Sequence, residues 1–172
     1  RYARQISRPG AYFPWFTNCE GRSLYFTNAN ELRHIQKWNN CCLTLQLFDP
    51  YRYGGDLADL RKRMPLLREI LDFLISELVE RKEGRYAIRN IQGADENINR
   101  DNDTAHLLPL VQGLAGYLEG CRRLGRRPPP EYERTHAGLR RALAGNCRKG
   151  LLYPWRGARD TNSEAFTFHV LN

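Results

Sequence analysis

In the run Leu66-Leu67-Arg68-Glu69-Ile70-Leu71-Asp72-Phe73-Leu74-Ile75-Ser76-Glu77-Leu78, apolar side chains recur at 66, 67, 70, 71, 74 and 78. That spacing of three and four gathers them on one side of a helix as a single buried stripe. A helix with one apolar stripe needs a partner to cover it, so further helices are expected. The strongest partner follows a polar interval. Leu107, Leu108, Leu110, Val111, Leu114, Ala115, Leu118 and Cys121 form a second stripe, capped near Asp103 or Thr104 and ended by Gly125 and Pro128-Pro129-Pro130.

Upstream, a helix is expected from about Glu31 to Phe48, with Leu32, Ile35, Trp38, Leu43, Leu45 and Leu47 as its apolar positions. Asp49-Pro50 and Gly54-Gly55 are read as its break. Asp56 then caps a short helix, Leu57 to about Arg63, that meets Pro65 ahead of the leucine-rich run. After that run Gly84 is read as a stop, and Tyr86-Ala87-Ile88 as a brief extended piece. A last helix is expected from about Glu131 to Ala144, with a short strand near Leu151-Leu152. The first 30 residues show no helical period and carry Tyr12, Phe13, Trp15, Phe16, Tyr25 and Phe26. The fold class is therefore all-α: one domain over residues 1–172, built of helical hairpins with long, polar, aromatic-bearing loops. Long connections in compact domains usually serve function.

At 41% hydrophobic the 172-residue chain can bury a core, so disorder throughout is excluded. No apolar run nears the roughly 20 residues that span a bilayer. The N-terminal Arg1-Tyr2-Ala3-Arg4 has no signal-peptide core. Five cysteines, two of them adjacent at 41 and 42 and none in a C-x-x-C pair, make no disulfide framework or zinc pattern. Cys41 and Cys42 read as small buried or half-buried side chains in a reducing, cytoplasmic setting. The net charge of +8 is local: eleven basic and three acidic residues lie between Glu119 and Arg159, with sixteen of each elsewhere. Arg122, Arg123, Arg126, Arg127, Arg134, Arg140, Arg141, Arg148 and Lys149 can attract an acidic partner or form a solvated face. No nucleic-acid motif accompanies them, so nucleic acid is not the expected partner.

Several residues carry chemistry. Asp95, Glu96, Asp101 and Asp103 crowd one polar stretch, Ile91 to Asp103. A carboxyl there can serve as a general acid if burial or a like-charged neighbour holds its proton. The plainer alternative is a solvated acidic loop in which Asp103 merely caps a helix. Trp15 and Trp155 each follow a Pro and can stack on a sugar face, or anchor a loop. Glu31 and His34 stand three apart, hence on one helix face, where they can bond a substrate hydroxyl or each other.

These residues fall in an order that resembles the catalytic domain of glycoside hydrolase family 65, whose pattern related six-hairpin glycosidases share. Gly10-Ala11-Tyr12-Phe13-Pro14-Trp15 is similar to that family's G-A-x-Y/F-P-W segment. Glu31 to His34 falls near its E-x-H element, with one extra residue. Tyr53-Gly54-Gly55-Asp56-Leu57 and Pro65-Leu66-Leu67-Arg68-Glu69 resemble its Y-x-x-T-G-D and P-x-L-x-E helix pair. The most specific stretch, Gly84 to Glu96, is similar to G-x-Y-x-I-x-x-x-x-G-P-D-E, and Asp101-Asn102 sits at the family's D-N pair. Ala94 stands for the family's Pro and Asn97 for its aromatic.

The resemblance implies an (α/α)6 toroid of helical hairpins. Twelve helices need about 200 residues at mean lengths, so this chain is expected to be a segment of a larger catalytic domain. It implies an inverting glycosidase or disaccharide phosphorylase acting on an α-glucoside, with Glu96 as general acid. Trp15, Asp95, Glu31, His34 and Asn102 would bind substrate. No metal or cofactor is implied, only inorganic phosphate as co-substrate in the phosphorylase case. The expected partners are the carbohydrate, the remainder of the catalytic domain and a second copy in a homo-oligomer. Glu164 is a second carboxylate without a counterpart in the family pattern. The rival readings are a non-catalytic basic helical module and a toroid lyase for acidic polysaccharide.

Overall fold

The computed structural model describes residues 2–14, 37–82, 85–88, 91, 92 and 99–155. Within them the chain is mostly helical, with a few short strands. A single turn, α1 (Tyr2–Gln5), precedes α2 (Trp38–Gly54) and α3 (Leu57–Leu78). Two hairpins follow: β1 (Val79–Lys82) with β2 (Arg85–Ile88), then β3 (Ile91–Gln92) with β4 (Asn99–Arg100). Next come α4 (Thr104–Arg123) and α5 (Pro130–Ala144), then a hairpin of β5 (Cys147–Arg148) and β6 (Leu151–Leu152).

The two leucine-rich stripes form the core as expected, except that Leu66 is exposed and Leu108 and Ala115 are half-buried. Leu67, Ile70, Leu71, Phe73 and Leu74 of α3 meet Leu107, Leu110 and Leu114 of α4, each at most 1% exposed. A row of glycines on α4 lets its neighbours approach closely. Gly113 faces Thr44, Gly116 faces the Phe48 ring, and Gly120 faces Met64 and Leu60. The succession of Thr44 on Gly113 and Phe48 on Gly116 sets α2 parallel to α4, and α3, which follows α2 after two residues, runs antiparallel to both. Tyr132 of α5 donates to the Asp72 carboxylate of α3 at 2.6 Å, which binds α5 to α3. Gly138 packs against the Tyr86 ring of β2.

Four expectations about boundaries need correction. The first long helix begins at Trp38, with Lys37 non-helical, and it passes through Pro50 to end at Gly54. Pro65 likewise stands inside one continuous 22-residue helix and does not divide two. The reason is shared: each Pro is exposed, and the carbonyls each would leave unpaired four residues earlier belong to exposed Gln46 and Arg61, where water can bond them. Third, α3 stops at Leu78 and turns straight into β1, so Gly84 is not its end. Fourth, the polar stretch from Ile91 contains a paired hairpin. Asp56 does cap as expected, its carboxylate accepting from Ala58 and Asp59 N–H at 2.7 and 3.2 Å.

On α2 the buried positions are Asn40, Cys41, Thr44 and Phe48, while Leu43, Leu45 and Leu47 are only half-buried. A buried Asn and Thr imply specific bonds.

Candidate functional site

The helix directions sort the connections into two ends. At one end α2 meets α3 through residues 55 and 56, and α4 meets α5 through 124–129. At the other lie Lys37 ahead of α2, the start of β1 after α3, residues 101–103 ahead of α4, and Asn146 after α5. Trp15, Glu31, His34, Asp95, Glu96 and Glu164 lie outside the described residues. Asn102 is described, and so are the residues that hold Phe13.

Residues 10–14 are docked by backbone and amide bonds. Gly10 has φ +77, and a Cβ there would run into the Glu69 carbonyl and the Phe73 backbone nitrogen, so only glycine fits. Ala11 N–H then donates to Glu69 O at 3.0 Å. Tyr12 is buried and stacks on Phe73, ring centroids 4.7 Å apart. The Asn40 side chain pairs with both backbone groups of Phe13: it accepts from Phe13 N–H at 2.9 Å and donates to Phe13 O at 2.7 Å. Asn39 donates to the same carbonyl at 3.1 Å. The residue before Pro14-Trp15 is thereby fixed to the N-terminal turn of α2.

Beside it is a charged group. Lys37, 4% exposed, lies 3.7 Å from Glu77, whose other carboxylate oxygen accepts from Arg8 at 2.7 Å. Burial pushes the Lys37 ammonium below its ordinary range, and Glu77 opposes that. Burial, then Glu77, pushes the Tyr12 phenol far up, and its hydroxyl has no hydrogen-bond partner among the described residues.

Residues 99–106 form the second anchor. Asn102 sits at φ 53 and binds Ile88 twice: its N–H donates to Ile88 O at 2.8 Å and its Oδ1 accepts from Ile88 N–H at 2.9 Å. The side-chain oxygen of this expected substrate-binding residue is thus engaged by backbone. Asp103 does not cap α4 with its side chain; it accepts from Nδ1 of the fully buried His106 at 3.0 Å. Thr104 donates from Oγ1 to Tyr153 O at 2.7 Å and from N–H to Pro154 O at 2.8 Å. Asn146 donates to Asn102 O at 2.8 Å and to Thr104 Oγ1 at 2.7 Å.

Cys41 is buried next to this group. Burial first, then Cys42 and Asp103, pushes its thiol well up, so it is a packing residue and not a nucleophile. Among the described residues no three His, Cys, Asp or Glu side chains converge as metal ligands, and no helix is long and apolar enough to cross a membrane. Sequence reading missed Asn39, Asn40, Thr104 and Asn146. Their role depends on backbone groups far away in the chain, and no local pattern signals that.

No protein-family model matches the chain, and no curated protein matches it.

Proposed function

We propose that the helical hairpins belong to an (α/α)6 toroid and that the chain is part of an inverting glycosidase or disaccharide phosphorylase acting on an α-glucoside. The observation that supports this best is the division of connections. The short ones join α2 to α3 and α4 to α5 at one end, and the described candidate Asn102 lies at the other. At that end the side chains of Asn40 and Asn146 are engaged in holding backbone in place.

In this reading Glu96 protonates the departing glycosidic oxygen as positive charge develops at the anomeric carbon. Water activated by a second carboxylate, or inorganic phosphate, attacks from the opposite face. For the hydrolytic case the two carboxyls stand about 6.5–9.5 Å apart. Trp15 stacks on the sugar, next to the Phe13 that Asn39 and Asn40 immobilise. Asp95, Glu31 and His34 bond hydroxyls. Asn102 keeps its amide N–H groups for substrate while its oxygen is bound by Ile88.

The test is Glu96→Gln, which keeps shape and removes the proton. Disaccharide cleavage should fall by about 10²-fold or more, with the thermal midpoint unchanged. A variant that unfolds, or one that stays active, contradicts the assignment.

Exposure of Arg122, Arg126, Arg127, Arg134, Arg140 and Arg141 supports a second reading, a basic module that docks an acidic partner. Calorimetric titration at two salt concentrations separates the two. The module predicts anion binding that weakens with salt and no affinity for sugar.

A further inference from the structure

The β1–β2 hairpin carries three cations that neither the sequence stripe nor the family resemblance singles out: Arg81, Lys82 and Arg85, all exposed. Its register pairs Arg81 with Tyr86 and Lys82 with Arg85. At its base Ile88, paired with Val79, is fully buried, so the hairpin runs outward from the core. On the way it crosses α5. Gly138 leaves room for the Tyr86 ring, which a Cβ there would strike. Arg134 and Arg141 stand four residues before and three after Gly138, on the same side of α5, and both are exposed. The hairpin therefore passes between two arginines, one turn to either side of the contact.

Arg81 projects from the same hairpin face as Tyr86, and its guanidinium lies 5.5 Å from the centre of that ring. Lys82 and Arg85 project from the other face as directly opposed like charges, an arrangement that weakens a hairpin. Among the described residues no acid stands within ion-pair distance of these five cations. The acids of the same elements are Glu80, opposite Ala87, and Glu131 and Glu133 in the first turn of α5, while Glu83 lies outside the described residues. Elsewhere the chain matches arginine with carboxylate, as in Arg52–Asp49, Arg63–Asp59 and Arg123–Glu119.

We propose that the hairpin and α5 form one docking surface for an acidic segment of a partner protein, whose Asp and Glu carboxylates pair with Arg81, Lys82, Arg85, Arg134 and Arg141. The inference rests on the basic-module reading above and names its surface and its partner. Charge complementarity selects an anion, and guanidinium forks hold carboxylates in bidentate pairs. A lipid surface fits less well. Basic faces that lie on membranes carry apolar anchors, and among the described residues no large exposed apolar side chain belongs to β1, β2 or α5. Nucleic acid fits less well too, since no nucleic-acid motif accompanies the cations. An acidic segment is held extended by its own repulsion. Arg134 and Arg141 are about 10 Å apart along the helix axis, a span that about three residues of extended chain cover, so a short acidic run reaches both.

The experiment titrates the intact protein by calorimetry with oligoglutamate, duplex DNA and phosphatidylserine vesicles, at low and at physiological salt. Two double variants, Lys82→Gln with Arg85→Gln and Arg134→Gln with Arg141→Gln, are compared with a control of equal charge. The control is Arg61→Gln with Lys62→Gln, exposed residues near the start of α3, the end away from the hairpin. Oligoglutamate should bind more weakly as salt rises, and each site variant should weaken it about tenfold while the control stays within about twofold. If a double variant does not fold, Arg85→Gln and Arg141→Gln singly decide the question, each with a loss of about threefold. Equal weakening by the control, or none by the site variants, overturns the assigned surface alone. Tighter binding of DNA or of vesicles than of oligoglutamate overturns the acidic-protein partner. Failure of all three probes to bind at low salt overturns the basic-module reading itself.

Discussion

Asn40 does at the start of α2 what a neighbouring strand would do for Phe13, offering one acceptor and one donor to its N–H and C=O. Without Asn40 the N–H would be unsatisfied in a part-buried position, which costs about 1–3 kcal/mol, while the C=O keeps its bond from Asn39. Asn40→Ala should therefore lower the unfolding free energy by about 1–3 kcal/mol in urea titration. Asn40→Asp, which keeps the acceptor but sets a carboxylate against the Phe13 carbonyl, should rescue little of it. A loss below about 0.5 kcal/mol for both would show that this amide does not hold the segment. Nothing in the sequence around Asn40 announces the bond. Its partner is 27 residues away, and a pattern of apolar residues credits Leu43, Leu45 and Leu47 with burial that Asn40 and Thr44 have instead. Gly10 was easier to single out, because its neighbours resemble a family segment, but the reason for glycine emerges only from the approach of the Glu69 carbonyl.

Helices α3 and α4 were legible because their apolar residues repeat at the helical period and meet each other. Boundaries set by Pro were not. Pro50 and Pro65 read as breaks, yet both lie on exposed helix faces where water can serve the freed carbonyls. Pro65→Ala should restore one helical hydrogen bond and raise stability by about 1–2 kcal/mol, less than the full proline penalty because the unfolded chain also gains freedom. A lowered thermal midpoint would mean that the proline bend is needed for packing α3 on α4. The strands were legible only in part. Tyr86-Ala87-Ile88 reads as extended, whereas β1 and the β3–β4 pairing lie in charged or polar stretches whose partners are set by register. Asp103 illustrates the limit at the site. Its place before α4 predicts a cap, but its carboxylate is taken by buried His106.

For the whole molecule, the buried phenols and the buried ammonium set opposite pH trends. Burial raises Tyr12, Tyr132 and Tyr117, the last to about 12. Above about pH 10 the unfolded chain releases these protons first, so it binds fewer than the folded chain and stability falls as pH rises. Lys37, lowered by burial, acts the other way. The unfolded chain keeps that proton longer, so stability rises with pH up to about 10.4. The thiols of Cys41 and Cys42, which burial also raises, are released first in the unfolded chain from about pH 8.5, so urea midpoints should fall from there and more steeply above about pH 10. Tyr132→Phe should make the drop above about pH 10 shallower. A midpoint that stays level from about pH 8 to about pH 11 would contradict this assignment.

The central claim is chemical, and the anomer released tests it most directly. The intact protein is mixed with an α-linked glucose disaccharide that carries carbon-13 only at the anomeric carbon under attack, with and without phosphate, and the first labelled anomeric signals to form are followed by nuclear magnetic resonance. The account predicts β-glucose, or β-glucose 1-phosphate when phosphate is the nucleophile, and neither from Glu96→Gln. Formation of the α-anomer, an unchanged rate in Glu96→Gln, or no cleavage at all would contradict it.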